Sequence, residues 1–141
     1  MSFGGDRELL ALFAQEAEER LDNLTSHLLA LETAGHDPEL VNSIFREAHT
    51  LKGGAAVVGL DTVSRVAHVM EDLLEQLRRG ERMATPALID AVLVAVDGLR
   101  GMLPAALEGG DTTATAAALE ASLHVLADTA DPPGGLEDEG A

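Results

Sequence analysis

The strongest pattern in this chain lies between residues 44 and 60, which read Ile-Phe-Arg-Glu-Ala-His-Thr-Leu-Lys-Gly-Gly-Ala-Ala-Val-Val-Gly-Leu. Apolar residues recur here at spacings of three and four, which predicts an amphipathic helix. His49 and Gly53 fall on the face beside the apolar one, and Lys52, the only lysine of the chain, lies one turn from His49. Two adjacent glycines inside a helix cost about 1 kcal/mol each relative to alanine. The pair therefore indicates a surface that something large approaches.

The same spacing recurs along the rest of the chain and predicts helices at about residues 6–34, 38–58, 62–79, 86–107 and 112–129. Asp37-Pro38 and Thr85-Pro86 are helix start signals, and either Asp61 or Thr62 is expected to cap the third helix. No segment alternates as a strand would. The fold class is therefore all-α, and short connections predict an antiparallel up-down four-helix bundle with an additional C-terminal helix. The predicted domain covers residues 1–130, and residues 131–141 are predicted to be a disordered acidic Pro/Gly tail or linker.

Composition excludes several classes of function. The formal net charge is −16, which argues against binding to DNA or RNA and disfavours anionic membrane surfaces. The chain contains no cysteine, so disulfides and thiolate chemistry are excluded. It shows neither a run of about 18 apolar residues nor a signal peptide, and a cytoplasmic location is therefore expected.

A second polar stripe follows the apolar stripe of the predicted third helix and includes His68 and Glu71. If the second and third helices pack as antiparallel neighbours, this stripe can lie beside His49. Glu71 could then accept a hydrogen bond from one ring N–H of His49 and leave the other ring nitrogen unprotonated. A nearby cation and an open glycine surface suit a nucleophile that accepts an anionic group from a docked partner.

The run from Ala48 to Ala55, Ala-His-Thr-Leu-Lys-Gly-Gly-Ala, resembles the phosphorylation motif of histidine phosphotransfer (HPt) domains. It is most similar to the N-terminal phosphotransfer domain of CheA-type chemotaxis histidine kinases. The segment His68-Val-Met-Glu71 also agrees with that family, and the resemblance covers about residues 6 to 128. It implies that Nε2 of His49 is phosphorylated while Glu71 holds Nδ1. The catalytic set that it implies is His49, Lys52, Glu71 and His68, and the docking set is Arg46, Gly53 and Gly54.

The resemblance further implies a phosphoryl carrier of two-component signalling. The sequence contains no glycine-rich nucleotide loop, so no cofactor is expected in this chain, and ATP and Mg²⁺ are expected on partner domains. The expected partners are a histidine kinase catalytic domain and CheY-like response-regulator receiver domains. No nucleic acid, membrane or metal is expected, and the isolated domain is expected to be a monomer.

Two other functions fit parts of the sequence. His49, His68 and Glu71 could form a metal site, although bundle metal sites use repeated Glu-x-x-His motifs that face inward. A helical adaptor for a basic partner would explain the acidic charge but not the glycine pair beside His49. The sequence leaves open whether the chain is a kinase fragment or a free-standing carrier. It also assigns no role to Arg65, His27, His36 and His124.

Overall fold

A computed structural model describes residues 3–128 of the chain and folds them into five helices without a strand. The helices are α1 (Phe3–Ala34), α2 (Pro38–Val57), α3 (Asp61–Arg78), α4 (Pro86–Leu107) and α5 (Thr113–Asp128). The prediction of an all-α fold is therefore confirmed. The first helix begins three residues before the predicted start, because glycines at its N-terminus weaken a helix without ending it. The predicted tail and the proposed boundary at residue 130 lie outside the described residues.

The first four helices close a ring in which α1 packs on α2, α2 on α3, α3 on α4 and α4 on α1. Each connection is only a few residues long, so consecutive helices run in opposite directions. The fifth helix packs on the outside against α3 and α4. This is the predicted up-down bundle with one additional helix.

The core of the bundle is almost entirely aliphatic, as the scarcity of aromatic residues requires. Phe13 is the one aromatic member of this core among the residues whose side chains the structure describes, and the remainder is mainly leucine, alanine and valine. Its completely buried members include Leu24, Leu28, Ile44, Val66, Met70, Leu73, Leu74, Leu77, Val92 and Val96. Burial of such side chains contributes about 1.5–3 kcal/mol each. The polar faces of α2 and α3 consequently lie at the rim of this core.

The connection between α2 and α3 fixes how these two helices face each other. Gly59 adopts φ +79°, a conformation that side chains with a Cβ rarely tolerate, and the Leu60 N–H donates to the Ala55 carbonyl at 2.9 Å. The chain therefore reverses within three residues. The prediction that Asp61 or Thr62 caps α3 is wrong, because Leu60 holds the cap position without any side-chain hydrogen bond to the backbone.

The fifth helix is attached to the bundle by polar contacts as well as by apolar packing. Arg65 on α3 pairs with Glu120 on α5 at 3.2 Å, which gives Arg65 a structural contact. The Thr62 hydroxyl, which does not cap α3, forms a hydrogen bond with the Thr112 hydroxyl at 2.6 Å. The buried Arg82 donates to the Ala127 carbonyl at 2.7 Å. No helix within residues 3–128 is both long and apolar enough to cross a membrane.

Candidate functional site

The candidate site is centred on His49, in the middle of α2, and on Glu71 of α3, which faces it. The Nδ1 atom of His49 is hydrogen-bonded to Oε2 of Glu71. The two side chains differ sharply in burial, since 61% of the imidazole side chain is exposed and only 9% of the glutamate side chain is. A buried carboxylate therefore holds an exposed ring by one of its two nitrogens.

Lys52 makes the second contact to the same carboxylate. Its Nζ donates to Oε1 of Glu71 at 2.5 Å, so each oxygen of Glu71 has one partner from α2. Burial alone would raise the pKa of Glu71, but hydrogen bonds and charges from Lys52 and His49 outweigh it and hold this pKa below its usual range. Glu71 is accordingly ionised at neutral pH.

The charge on Glu71 determines the tautomer of His49. An ionised carboxylate can only accept hydrogen bonds, so Nδ1 of His49 must be the donor in their contact. In a neutral imidazole the other nitrogen then carries a lone pair. His49 thus presents Nε2 as a nucleophilic atom on an exposed ring, which is the arrangement of a nucleophile oriented by a third group.

Lys52 is tied to the helix pair yet retains capacity for a further anion. Its carbonyl accepts a hydrogen bond from the Ser64 hydroxyl at 3.3 Å, and its side chain is partly exposed. An ammonium group has three N–H donors, and Glu71 takes one of them. The other donors are available to an incoming group with negatively charged oxygens.

Two residues outside the predicted site are linked to His49, Phe45 by direct contact and Arg78 through Phe45. The Phe45 ring stacks on the imidazole with centroids 6.0 Å apart and planes inclined by 15°. The guanidinium carbon of Arg78 lies 4.3 Å from the centroid of the Phe45 ring. Phe45 lies four residues before His49 on the same helix, and this spacing could have indicated their contact from the sequence.

The structure does not bring His68 to His49. His68 is exposed on α3, and its ion-pair partner among the described residues is Asp72, with Nε2 and Oδ1 3.6 Å apart. Its catalytic role stays a prediction. The three remaining histidines lie elsewhere: His27 in α1, His36 between α1 and α2, and His124 in α5.

The two glycines that were predicted to form a docking surface have different surroundings. Gly53 is exposed, and a Cβ built there would meet nothing within 4 Å. A Cβ on Gly54 would lie 3.2 Å from two ring atoms of Phe13, so Gly54 serves close packing of α2 on α1. Arg46 is exposed on α2. Of the predicted docking residues, Gly53 and Arg46 are thus open to a partner, whereas Gly54 is partly covered.

The structure gives no support to a metal site. In the part of the chain from residue 3 to residue 128, no three histidine, aspartate or glutamate side chains are grouped so that they could hold a metal ion. The carboxylate that faces His49 is occupied by Lys52 instead.

Known proteins are similar to this chain over most of its length. The chemotaxis protein CheA of Treponema pallidum is 39% identical over 106 residues, which are 75% of this chain and 13% of that protein. CheA of Listeria monocytogenes is 38% identical over 120 residues, 82% of this chain and 19% of that protein. The chain thus spans less than a fifth of the length of these two curated relatives.

Solved structures of single domains match this chain over nearly their whole length. The phosphorylated P1 domain of CheA3 in complex with CheY6 from R. sphaeroides matches with TM-score 0.77 and 32% identity, over 85% of this chain and 95% of that one. The CheA phosphotransferase domain from Thermotoga maritima matches with TM-score 0.67 and 36% identity, over 74% of this chain and 96% of that one. A family profile described as Hpt domain matches residues 8–109. This chain therefore belongs to the Hpt domain family.

Proposed function

We propose that this chain is the histidine phosphotransfer domain of a chemotaxis signalling system. Nε2 of His49 attacks the γ-phosphorus of ATP held by a separate kinase catalytic domain, so a P–N bond forms and a P–O bond of ATP breaks. In the second step an aspartate oxygen of a response-regulator receiver domain attacks the same phosphorus, and the P–N bond breaks. The observation that carries this proposal is the exposed His49 ring whose Nδ1 is held by the ionised Glu71.

Glu71 and Lys52 have separate roles in this chemistry. When Nε2 forms a bond to phosphorus while Nδ1 keeps its proton, positive charge develops on the ring, and the Glu71 carboxylate balances it. Lys52 donates a hydrogen bond to the other oxygen of Glu71. Its remaining N–H donors offset negative charge on the phosphoryl oxygens. The chain thus orients the nucleophile, while ATP and Mg²⁺ are supplied by partner domains.

His68 and Arg46 have secondary roles in the proposal. His68 would turn from Asp72 toward the phosphoryl group after transfer, which its exposed position on α3 permits. Arg46 lies one turn before His49 on α2 and is free to meet an acidic partner surface. A receiver domain, whose active site is an aspartate, is such a partner.

The receiver is proposed to dock on the surface formed by the second half of α2 and the first half of α1. Gly53 lets a partner backbone approach the helix here, and three large apolar side chains nearby are about half exposed or more: Leu9, Leu12 and Val57. These three line one shallow groove together with Gly54. One solved relative is a P1 domain in complex with CheY6, which supports a receiver as the occupant.

The wider setting of the chain follows from the same relatives. Because this chain spans only 13% and 19% of two CheA proteins, we propose that it is one domain of a histidine kinase. We further propose that the domain ends near residue 130, that residues 131–141 are a tail or a linker, that the isolated domain is monomeric and that it works in the cytoplasm.

The experiment is phosphorylation by a chemotaxis kinase catalytic core with labelled ATP, comparing this chain with His49→Gln. We expect an acid-labile, alkali-stable label on the wild type only, and its loss when a receiver domain is added. Phosphoramidate, a small donor, is tested in parallel because it needs no docking. If His49 takes label from neither donor while circular dichroism shows the helical fold, the carrier function is refuted and an adaptor function is favoured.

A further inference from the structure

Two successive side-chain contacts, Arg78 with Phe45 and Phe45 with His49, link the end of α3 to His49. Phe45 lies one turn before His49 on α2, and the two rings are nearly parallel at a centroid distance of 6.0 Å. Arg78 reaches across from α3 and places its guanidinium carbon 4.3 Å from the Phe45 centroid. Both distances are within the ranges for attractive aromatic and cation–aromatic contacts.

The guanidinium of Arg78 is held in place by a carboxylate. Its Nε and Nη2 atoms donate to Oε1 of Glu75 at 2.9 and 2.7 Å. Arg79 also donates to Glu75, at 2.7 Å to the other oxygen, but its contacts in the structure are to acidic residues and not to Phe45. Two neighbouring arginines therefore share one partner, and only Arg78 lies on the aromatic ring.

The hydrogen bond to Glu71 leaves one motion of the imidazole unrestrained. A ring that is bonded to Cβ and hydrogen-bonded at Nδ1 can still move by coupled rotations about χ1 and χ2, and such a motion swings Nε2 away from the direction of attack. Phosphoryl transfer requires the attacking and leaving atoms to be in line with phosphorus, so a tilt lowers the fraction of productive encounters. A flat surface against the ring restrains that motion.

We infer that Phe45 and Arg78 are positioning residues for phosphoryl transfer, in which the Phe45 ring sets the tilt of the His49 imidazole and Arg78 holds the Phe45 ring in place. The inference rests on the proposed function and adds two residues outside the Glu71 contact. Phe45 is only partly buried and packs against the edge of the core, so part of its ring remains available to the His49 imidazole and the Arg78 guanidinium.

The test measures the rate of His49 labelling by phosphoramidate, which excludes any effect of Phe45 or Arg78 on protein docking. Nε2 forms a bond to phosphorus, the P–N bond of phosphoramidate breaks, and ammonia leaves. For Phe45→Leu we expect labelling about three- to tenfold slower, and for Phe45→Tyr, which keeps the ring, a rate close to wild type. For Arg78→Gln we expect a rate about two- to fivefold slower.

Arg79→Gln is the matched control, because it removes one positive charge beside the same Glu75 and leaves the aromatic ring untouched. We expect Arg79→Gln to be labelled by phosphoramidate at the wild-type rate. In a Phe45→Leu background, Arg78→Gln should have no further effect, since Arg78 acts only through the ring. Equal slowing by Arg78→Gln and Arg79→Gln would overturn the inference in favour of a general charge effect. Additive slowing in the double variant would show that Arg78 acts independently of Phe45.

A spectroscopic measurement keeps the inference separate from the proposed function. Relaxation of the ¹³C-labelled His49 ring should show a more mobile imidazole in Phe45→Leu and in Arg78→Gln, but not in Phe45→Tyr or Arg79→Gln. Failure of wild-type labelling would contradict the proposed function alone. An equally ordered ring in all variants would overturn the positioning role. Arg78 is 42% exposed, so its variant tests the inference even if Phe45→Leu fails to fold.

Discussion

Substitution of Gly53 should raise the stability of the fold and, when the new side chain is large, slow phosphoryl transfer from His49 to a receiver domain. The residue lies inside α2, is exposed, and offers space for a Cβ with nothing within 4 Å. Alanine is favoured over glycine inside a helix by about 0.8–1.0 kcal/mol, so Gly53→Ala should raise the free energy of unfolding by that amount. For a domain of this size the increase corresponds to a rise in Tm of about 4 °C. Thermal and urea unfolding followed by circular dichroism measure it.

The functional half of this prediction uses a larger side chain. Leucine is also a good helix former, so Gly53→Leu should again stabilise the fold, but its side chain would stand where the receiver is proposed to dock. Overpacking of a fitted surface costs about 1–3 kcal/mol, so we expect transfer from phosphorylated His49 to a receiver to slow about tenfold. Labelling by phosphoramidate should stay within about twofold, because a small donor needs no docking surface.

Gly101 provides the matched control, since it lies inside α4, is exposed and has nothing within 4 Å of a built Cβ. Gly101→Ala and Gly101→Leu should stabilise the protein as the Gly53 variants do and leave transfer to the receiver unchanged. If Gly53→Leu is stabilised and still transfers the phosphoryl group to the receiver at the wild-type rate, Gly53 is not a docking residue. Absence of stabilisation at both glycines would refute the reasoning from helix propensity.

Two further predictions concern neighbouring features. Gly54→Ala should stabilise the fold less than Gly53→Ala, because its Cβ would lie 3.2 Å from the Phe13 ring and the ring must shift; urea unfolding compares them, and an equal gain would show that Phe13 yields freely. The pKa of Glu71 is lower in the folded protein than in the unfolded chain, so the unfolded chain binds more protons there and stability rises with pH. Its contribution is present above the unfolded pKa and is lost as pH falls through the lower folded pKa. The difference in unfolding free energy between wild type and Glu71→Gln should therefore shrink from pH 7 to about pH 3, and growth of that difference on acidification would contradict the assignment.

The sequence was sufficient to predict the helices because local chemistry determines their ends. The Asp37 carboxylate accepts hydrogen bonds from the N–H groups of Glu39 and Leu40 at 3.0 and 3.3 Å, and Thr85 accepts from the Leu88 N–H at 3.2 Å, as their patterns indicated. The cap of α3 was mispredicted because a tight glycine turn, not a side chain, begins that helix. Such a turn depends on backbone bonds that residue identity alone does not specify.

Helical periodicity predicted the faces of α2 but not what lies against each residue. Gly53 and Gly54 are adjacent and chemically identical, yet one faces open space and the other faces Phe13 of α1. Only the packing of a distant helix separates them. His68 shows the same limit, because its exposed position on α3 matches the predicted stripe while its partner there is Asp72.

The contacts between α2 and α3 could nevertheless have been derived from the turn. In an antiparallel pair of helices, residues at equal distances on either side of the turn face each other. The contacts of His49 and Lys52 with Glu71, and that of Phe45 with Arg78, are each centred within about two residues of Leu60, where the chain reverses. The rule that predicts Glu71 beside His49 therefore also predicts Arg78 beside Phe45. One reversal at Gly59 thus places both the carboxylate that holds Nδ1 of His49 and the cation that contacts the stacked Phe45 ring, so these two restraints on the nucleophile share a single structural origin.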